Sequence, residues 1–396
     1  MPRSTDPLAQ LLEGIARELP RAVELRHRLH AEPELAHAET KSAASIAAEL
    51  PVSSTTVAGT GLVALISDSA AAPVAVRAEL DGLPIRERTS SPFSARGEAM
   101  HACGHDVHMA ALVALSRAAH ALADALPAPL LAIFQPSEEA YPSGAEALAR
   151  GGLADFAPRA VVGAHVHPEL PWGTVGLDAG VVNASCDLIE IVIEGEPTHG
   201  AYPHHGRDPV LALAEVVVSL HAQLSRRIDP LHPAVLTIGE LQAGSAENVI
   251  PAEARARGAL RAYRPEDRRA LAEMVEQVVA GVAAAYGCRG AVALAGGEPA
   301  LCNDAQIVAR ARALLSEAGL DAAPRWRSCG SDDFAFFGEL APLAMSFVGL
   351  DGAPGFKRRP LHHPELLIPD EAIAAVARVQ AILFLAAAEA DALPAG

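Results

Sequence analysis

Two rhythms of apolar segments run through this chain, and the change from one to the other near Asn183 constrains its fold more than any other feature. Before that point Leu8, Leu11, Leu12, Ile15 and Leu19 recur at three- and four-residue spacing and predict a helix over 7–29. A second helix is expected over 39–50, strands over 61–67 and 74–79, a helix over 107–125, a strand over 130–135, a helix over 144–151 and a strand over 160–166. Residues 74–79 are largely apolar, as in a strand covered on both faces. Such alternation predicts helices packed on a mostly parallel sheet. The Pro-rich corners at 127–129 and 168–171 read as turns.

Past Asn183 the order becomes strand 188–194, helix 208–226, strands 235–241 and 255–263, helix 265–286 and strand 291–295. This βαββαβ succession is the cue for a ferredoxin-like unit. Helix 305–319, strand 343–348 and helix 371–388 then resume the first rhythm. The expected fold is α/β: a domain built from 1–183 and 297–396, with an inserted α+β domain over 184–296. At 396 residues, the chain is longer than a single core usually organises.

Charge and cysteine usage narrow the partners. Lys plus Arg number 31 against 48 Asp plus Glu, a net charge of −17, and the one short basic run is Lys357 to Arg359. A nucleic-acid partner is excluded on this reading, because phosphate binding needs clustered positive charge. The five cysteines are odd in number and scattered, which reads as reduced thiols. Asp6, Glu13 and Glu18 interrupt the first twenty residues, so no apolar leader is expected there. No stretch is expected to serve as a membrane span of roughly 18 apolar residues. These features place the protein in the cytoplasm, with no membrane partner.

Four segments carry ligand chemistry. His101-Ala102-Cys103-Gly104-His105-Asp106-Val107-His108 packs three imidazoles, a thiol and a carboxylate into eight positions just before a helix. These side chains bind zinc and other divalent first-row metals. Glu138-Glu139 follows an apolar strand whose end falls where open α/β sheets build sites. Adjacent carboxylates can divide labour, one binding metal and one moving a proton. His165 and His167 end another strand, and His362-His363 precede the last helix. Any one of these is unremarkable alone; four loops together point to a metal site. A single Cys flanked by His also fits a thiol nucleophile, so Cys103 keeps both readings at this point.

The segments Arg26-His27-Arg28-Leu29-His30, Pro33-Glu34-Leu35, Arg77-Ala78-Glu79-Leu80-Asp81-Gly82-Leu83-Pro84-Ile85 and Met100 to Asp106 resemble peptidase family M20. So do Gln135 to Glu139, His165 with Pro168 to Pro171, Thr198 to His204, Asn248 to Pro251, Gly330-Ser331-Asp332-Asp333-Phe334 and His362-His363-Pro364, in the family's order. Within the family they are similar to the amidohydrolase branch of hippurate hydrolases, N-acyl-amino-acid amidohydrolases and auxin-conjugate hydrolases. The resemblance implies a zinc-peptidase-like catalytic domain and an inserted ferredoxin-like lid or dimerisation domain. It implies hydrolysis of the amide bond of a small N-acyl amino acid by a homodimer. Cys103, His105, Glu139, His165 and His362 would ligate two divalent ions, manganese or zinc first, cobalt or nickel next. Glu138 would be the general base, and His199 would stabilise the oxyanion. Glu79 stands where the family usually has Asp, and with Asp81 it would support the centre. Asn248, Arg261, Gly330 and Ser331 would hold the substrate. His167 stands where the branch often has Trp. A dipeptidase, a carbamoylase or a non-catalytic metal-binding scaffold on the same fold are the competing expectations.

Overall fold

The computed structural model describes residues 6–67 and 71–390, in which the chain forms two compact units. One is Met1–Gly180, Cys302–Trp326 and Asp333–Gly396; the other is Val181–Leu301 and Arg327–Asp332. The ends of the span expected for the first domain, 1–5 and 391–396, lie outside the described residues.

The first unit holds an eight-stranded sheet, in the order Thr55–Val57, Gly61–Leu65, Leu130–Gln135, Val74–Glu79, Ala160–Pro171, Leu343–Asp351, Thr174–Gly176, Asp321–Ala322. The four central strands, Leu130–Gln135 to Leu343–Asp351, are parallel. Gly61–Leu65 and Thr174–Gly176 flank them antiparallel. Val74–Glu79 and Leu130–Gln135 are buried at every position, which is why neither alternates polar with apolar. Helices Pro7–Ala31, His105–His120 and Glu371–Glu389 pack on one another, and the last also lies on Ala160–Pro171. Asp6 caps the first helix by accepting from the N–H groups of Leu8 and Ala9, with Pro7 opening its first turn.

Three expectations are corrected here. The strand over 160–166 continues to Pro171, through the corner expected at 168–171. Beyond Gly163 it no longer pairs with Val74–Glu79 and keeps only the ladder to Leu343–Asp351. Proline, which lacks an N–H, is therefore tolerated on its open side. The helix over 144–151 stops at Ala147 and relaxes into a wider turn, Leu148–Gly152, at the flexible Gly151-Gly152 pair. The final helix is long and apolar enough to cross a membrane, with a mean hydropathy of 1.7, yet 78% of that stretch is buried inside the protein. Its apolar character is accounted for by the core.

The second unit is a four-stranded antiparallel sheet ordered Ala234–Ala243, Glu253–Ala262, Ser185–Glu194, Arg289–Ala295. With helices Pro209–Arg227 and Pro265–Ala285 this is the ferredoxin-like βαββαβ arrangement. Ile189, Ile191 and Ile193 point into a core with Leu213, Val216, Met274 and Val275. A ribbon of Thr198–His199 against Val249–Ile250 stands apart from this sheet.

Candidate metal centre

The first unit gathers its ligand-type side chains where the parallel strands finish. Glu79 ends Val74–Glu79, and Glu138 and Glu139 follow Leu130–Gln135. His165 lies in Ala160–Pro171, and His105 opens helix His105–His120. Gly104 makes that opening possible: its φ is +91°, and a Cβ there would lie 2.6 Å from Val166 and 2.7 Å from Ile368. Cys103 Sγ is 3.4 Å from His165 Nε2. The ligand atoms of Cys103, His105 and Glu139 lie within 4.8 Å of one another. His362, at φ +62°, has its N–H bonded to the Ala102 carbonyl at 2.8 Å and its Nε2 3.2 Å from Glu139 Oε1. Glu138 Oε2 is 3.8 Å from His105 Nε2.

Hydrogen bonds sort these groups into candidate ligands and supports. His165 Nδ1 donates to the Val166 carbonyl (2.7 Å), and His105 Nδ1 donates to the Asp81 carbonyl (2.8 Å). Each leaves its Nε2 facing the cluster; for His165 that nitrogen is a lone pair, the tautomer a metal ligand needs, while His105 must first give up a proton there. His105 Nε2 is buried without a hydrogen bond, while Glu139 Oε1 meets His362 Nε2 and Asp81 Oδ1 lies 3.6 Å from His105 Nδ1. His108 behaves differently, although it clusters with Glu79, His105 and His165. Its Nε2 accepts the Val166 N–H at 3.0 Å, so its Nδ1 carries the proton and donates to Glu79 at 2.8 Å. Neither nitrogen is free for an ion; His108 orients Glu79. Its place one helical turn after His105 was the sequence signal for it.

Glu79 is enclosed by charge. It also pairs with Arg77, whose guanidinium reaches Asp333 at 3.0 Å and Gln135 at 2.8 Å. Burial opposes the Glu79 charge, but Arg77, then His108 and His105, hold it well below the usual carboxylate range. Burial opposes the Asp81 charge too, and His105 and the Glu139 N–H at 2.9 Å hold it down. Burial first, then Glu139, Glu138 and Glu79, push the Cys103 thiol well above its ordinary value. Burial also depresses the charged form of His165. For His105 burial is overcome by Glu79 and Asp81, and its pKa rises to about 10. Carboxylates gathered around a thiol, the His165 lone pair and the His105 imidazole, whose proton an ion would displace, form a donor set that fits a divalent cation.

The remaining expected residues belong to the second unit. His199 pairs in register with Val249, and the Gly200 N–H donates to the Asn248 carbonyl at 2.7 Å, which places Asn248 just before the strand that pairs with His199. His199 Nδ1 accepts the Ala201 N–H at 3.0 Å, so Nε2 carries its proton. Arg261 is half-buried, donating to the Cys329 carbonyl at 3.0 Å with Ser331 Oγ at 3.4 Å, beside Gly330. In the first unit His167 packs edge-on against Trp326, with ring centroids 4.2 Å apart. Phe334, in the first unit, is fully buried beneath Arg77.

Residues 75–385 match the model of peptidase family M20/M25/M40. The chain belongs to this family. It is a hydrolase of amide bonds. This M20 chain is 34% identical to an N-acetyl-L-cysteine deacetylase of Bacillus subtilis, over 88% of its own length and 84% of the relative's. It is also 34% identical to an N-acetyldiaminopimelate deacetylase of Bacillus licheniformis, over 91% and 96%. A solved structure from Bacillus subtilis, described as a dinuclear metal binding peptidase from the M20 family, is 30% identical with a TM-score of 0.82, over 95% of this chain and all (100%) of that one.

Proposed function

We propose that this enzyme removes the acyl group from N-acyl amino acids, N-acetyl derivatives foremost, by metal-dependent hydrolysis. One observation carries the reading: the buried, unbonded His105 Nε2 sits with Cys103, His165 and the Glu139–His362 pair beside a second carboxylate, Glu138, in a chain similar to two N-acetyl-amino-acid deacetylases. In this assignment Cys103, His105, Glu139, His165 and His362 hold two divalent ions, manganese or zinc. When bound, such ions acidify a water and polarise an amide carbonyl. Glu138 takes the proton of the attacking water at its carboxylate oxygen and returns it to the departing amine nitrogen. His199 donates from Nε2–H to the carbonyl oxygen as negative charge gathers there, a role its tautomer suits. Glu79 and Asp81 keep the centre in place through His108 and His105. Asn248, Arg261, Gly330 and Ser331 take the substrate carboxylate. The domain of 1–183 and 297–396 is the catalytic part, and 184–296 is the lid and dimerisation part of a cytoplasmic homodimer. The five free cysteines suit a reducing compartment.

The test is release of free amino acid from N-acetyl, N-benzoyl and longer N-acyl amino acids by chelator-stripped protein, before and after Mn²⁺ or Zn²⁺ is added. Activity that appears only with metal, and first on N-acetyl substrates, is the expected result. Activity indifferent to metal would return Cys103 to the role of nucleophile. Hydrolysis confined to dipeptides or carbamoyl compounds would replace the substrate assignment.

A further inference from the structure

Pro136-Ser137 carries the chain from the strand Leu130–Gln135 to Glu138 and Glu139, and its geometry is held from outside. Ser137 adopts φ +49°, a left-handed conformation that residues with a Cβ seldom occupy. Its N–H donates to Glu39 Oε1 at 2.8 Å. Glu39 is completely buried and stands at the entry of helix Thr40–Glu49. The same carboxylate accepts the His37 N–H at 3.1 Å and the Thr60 hydroxyl at 2.6 Å. His37 is itself left-handed, at φ +67°; its N–H also donates to Ser137 Oγ at 2.9 Å, and its Nδ1 lies 2.8 Å from that oxygen. Pro136 is clamped from two further sides. A Cβ on Gly61 would come within 2.7 Å of its ring, and one on Gly144 within 1.8 Å of its carbonyl oxygen. A fully buried carboxyl group is spent here on two backbone N–H groups and a hydroxyl, a set of partners that fixes the turn.

We propose that Glu39 is a positioning residue for the carboxylate pair: its buried carboxylate fixes the left-handed turn at Ser137 and so aims Glu138 and Glu139 at the Cys103, His105 and His165 cluster. This rests on the functional reading above for the roles of the pair, but not for the geometry. Glu39 Oε1 takes both backbone N–H groups and Oε2 takes only the Thr60 hydroxyl. A Gln amide could therefore keep both N–H bonds, whereas Leu at 39 leaves them without an acceptor at similar side-chain volume, so the turn loses its anchor.

Two readouts separate this from a merely structural role. Glu39→Leu is expected to weaken Zn²⁺ binding, measured by competition with a colour-forming chelator, by about tenfold or more, the usual effect of losing an outer partner. Its kcat on an N-acetyl amino acid is expected to fall by at least about tenfold, with KM within about twofold of the parent. Folded Glu39→Leu with the parent's Zn²⁺ affinity and kcat overturns the proposal, as does a rise in KM alone. Should Glu39→Leu not fold, Thr60→Val decides: it removes one donor to Glu39, and a lower kcat at the parent's melting temperature supports the proposal, whereas the parent's kcat overturns it. Zn²⁺ competition needs no substrate. If the parent binds zinc but deacylates nothing, the functional reading falls and the Glu39 measurement still stands.

Discussion

Glu138 and Glu139 are adjacent in the chain, yet their surroundings differ. The Glu139 N–H is bonded to Asp81 Oδ2 at 2.9 Å, and its side chain lies 3.2 Å from His362 Nε2. Glu138 instead has an oxygen 3.8 Å from His105 Nε2. Under the proposed roles the two should fail in different ways when substituted. Glu138→Gln is expected to keep its metal, counted by elemental analysis, and to lose about 10²- to 10⁴-fold in kcat, the range general-base removal usually spans. His362→Ala is expected to lose metal affinity first, with turnover partly restored by excess Mn²⁺ or Zn²⁺. Turnover in Glu138→Gln equal to the parent's would remove Glu138 from the role of base.

Helix His105–His120 delivers a candidate ligand from its first residue, so what fixes its N-terminus matters for the site. Asp106, in its first turn, accepts from Arg26 Nε at 2.9 Å and faces His30 Nδ1 at 2.9 Å. His30 Nε2 faces Glu87 at 3.2 Å, so both of its nitrogens meet carboxylates. Burial alone would depress the His30 pKa, but Asp106 and then Glu87 outweigh it and raise it to about 9 from 6.5. A group whose folded pKa is raised stabilises the fold fully below its unfolded pKa and loses that contribution as pH climbs through the folded value. The melting temperature of the chelator-stripped parent should therefore exceed that of His30→Gln most near pH 6, with the gap shrinking towards pH 9.5 and worth on the order of 2–3 kcal/mol at its largest. A gap that widens with pH would contradict the assignment. Elements of this kind differ in how far sequence reveals them. Val74–Glu79 and Leu130–Gln135 are readable to the residue, because Pro73 and Pro129 stand before apolar runs that burial demands. The ribbon of Thr198–His199 and Val249–Ile250 is not, since two-residue strands exist only through their pairing. The candidate ligands announce themselves by residue type in four loops. Glu39 does not, because the Ser137 N–H it holds lies 98 positions away and leaves no mark on either segment's composition. His108 has ligand chemistry by type, and only its two hydrogen bonds identify it as a support.

At the scale of the molecule, Cys103, His105, Glu139, His165 and His362 all belong to the first unit, so an ion held by them is expected to act first on the stability of that unit. The first unit buries Glu79, Asp81 and Cys103 with Glu138 and Glu139 nearby, in a chain of net charge −17. Without a cation, these acidic groups oppose one another in a poorly solvated space. A divalent ion that binds only the folded unit adds stability as its concentration rises, about 2.7 kcal/mol at one hundred times its dissociation constant. For a unit of this size that corresponds to a rise of roughly 5–10 °C in its melting temperature. The second unit has its own core of Ile189, Ile191, Ile193, Leu213 and Met274, to which none of the candidate ligands belongs. Hydrogen exchange can follow both cores in one sample. Adding Mn²⁺ or Zn²⁺ to stripped protein should slow exchange in Val74–Glu79 and His105–His120 while that in Ser185–Glu194 stays near its metal-free rate. Equal slowing in both units would mean that the ion's stabilisation spreads through the whole chain, and no slowing in either would mean that the Cys103 cluster does not bind the ion in the folded state.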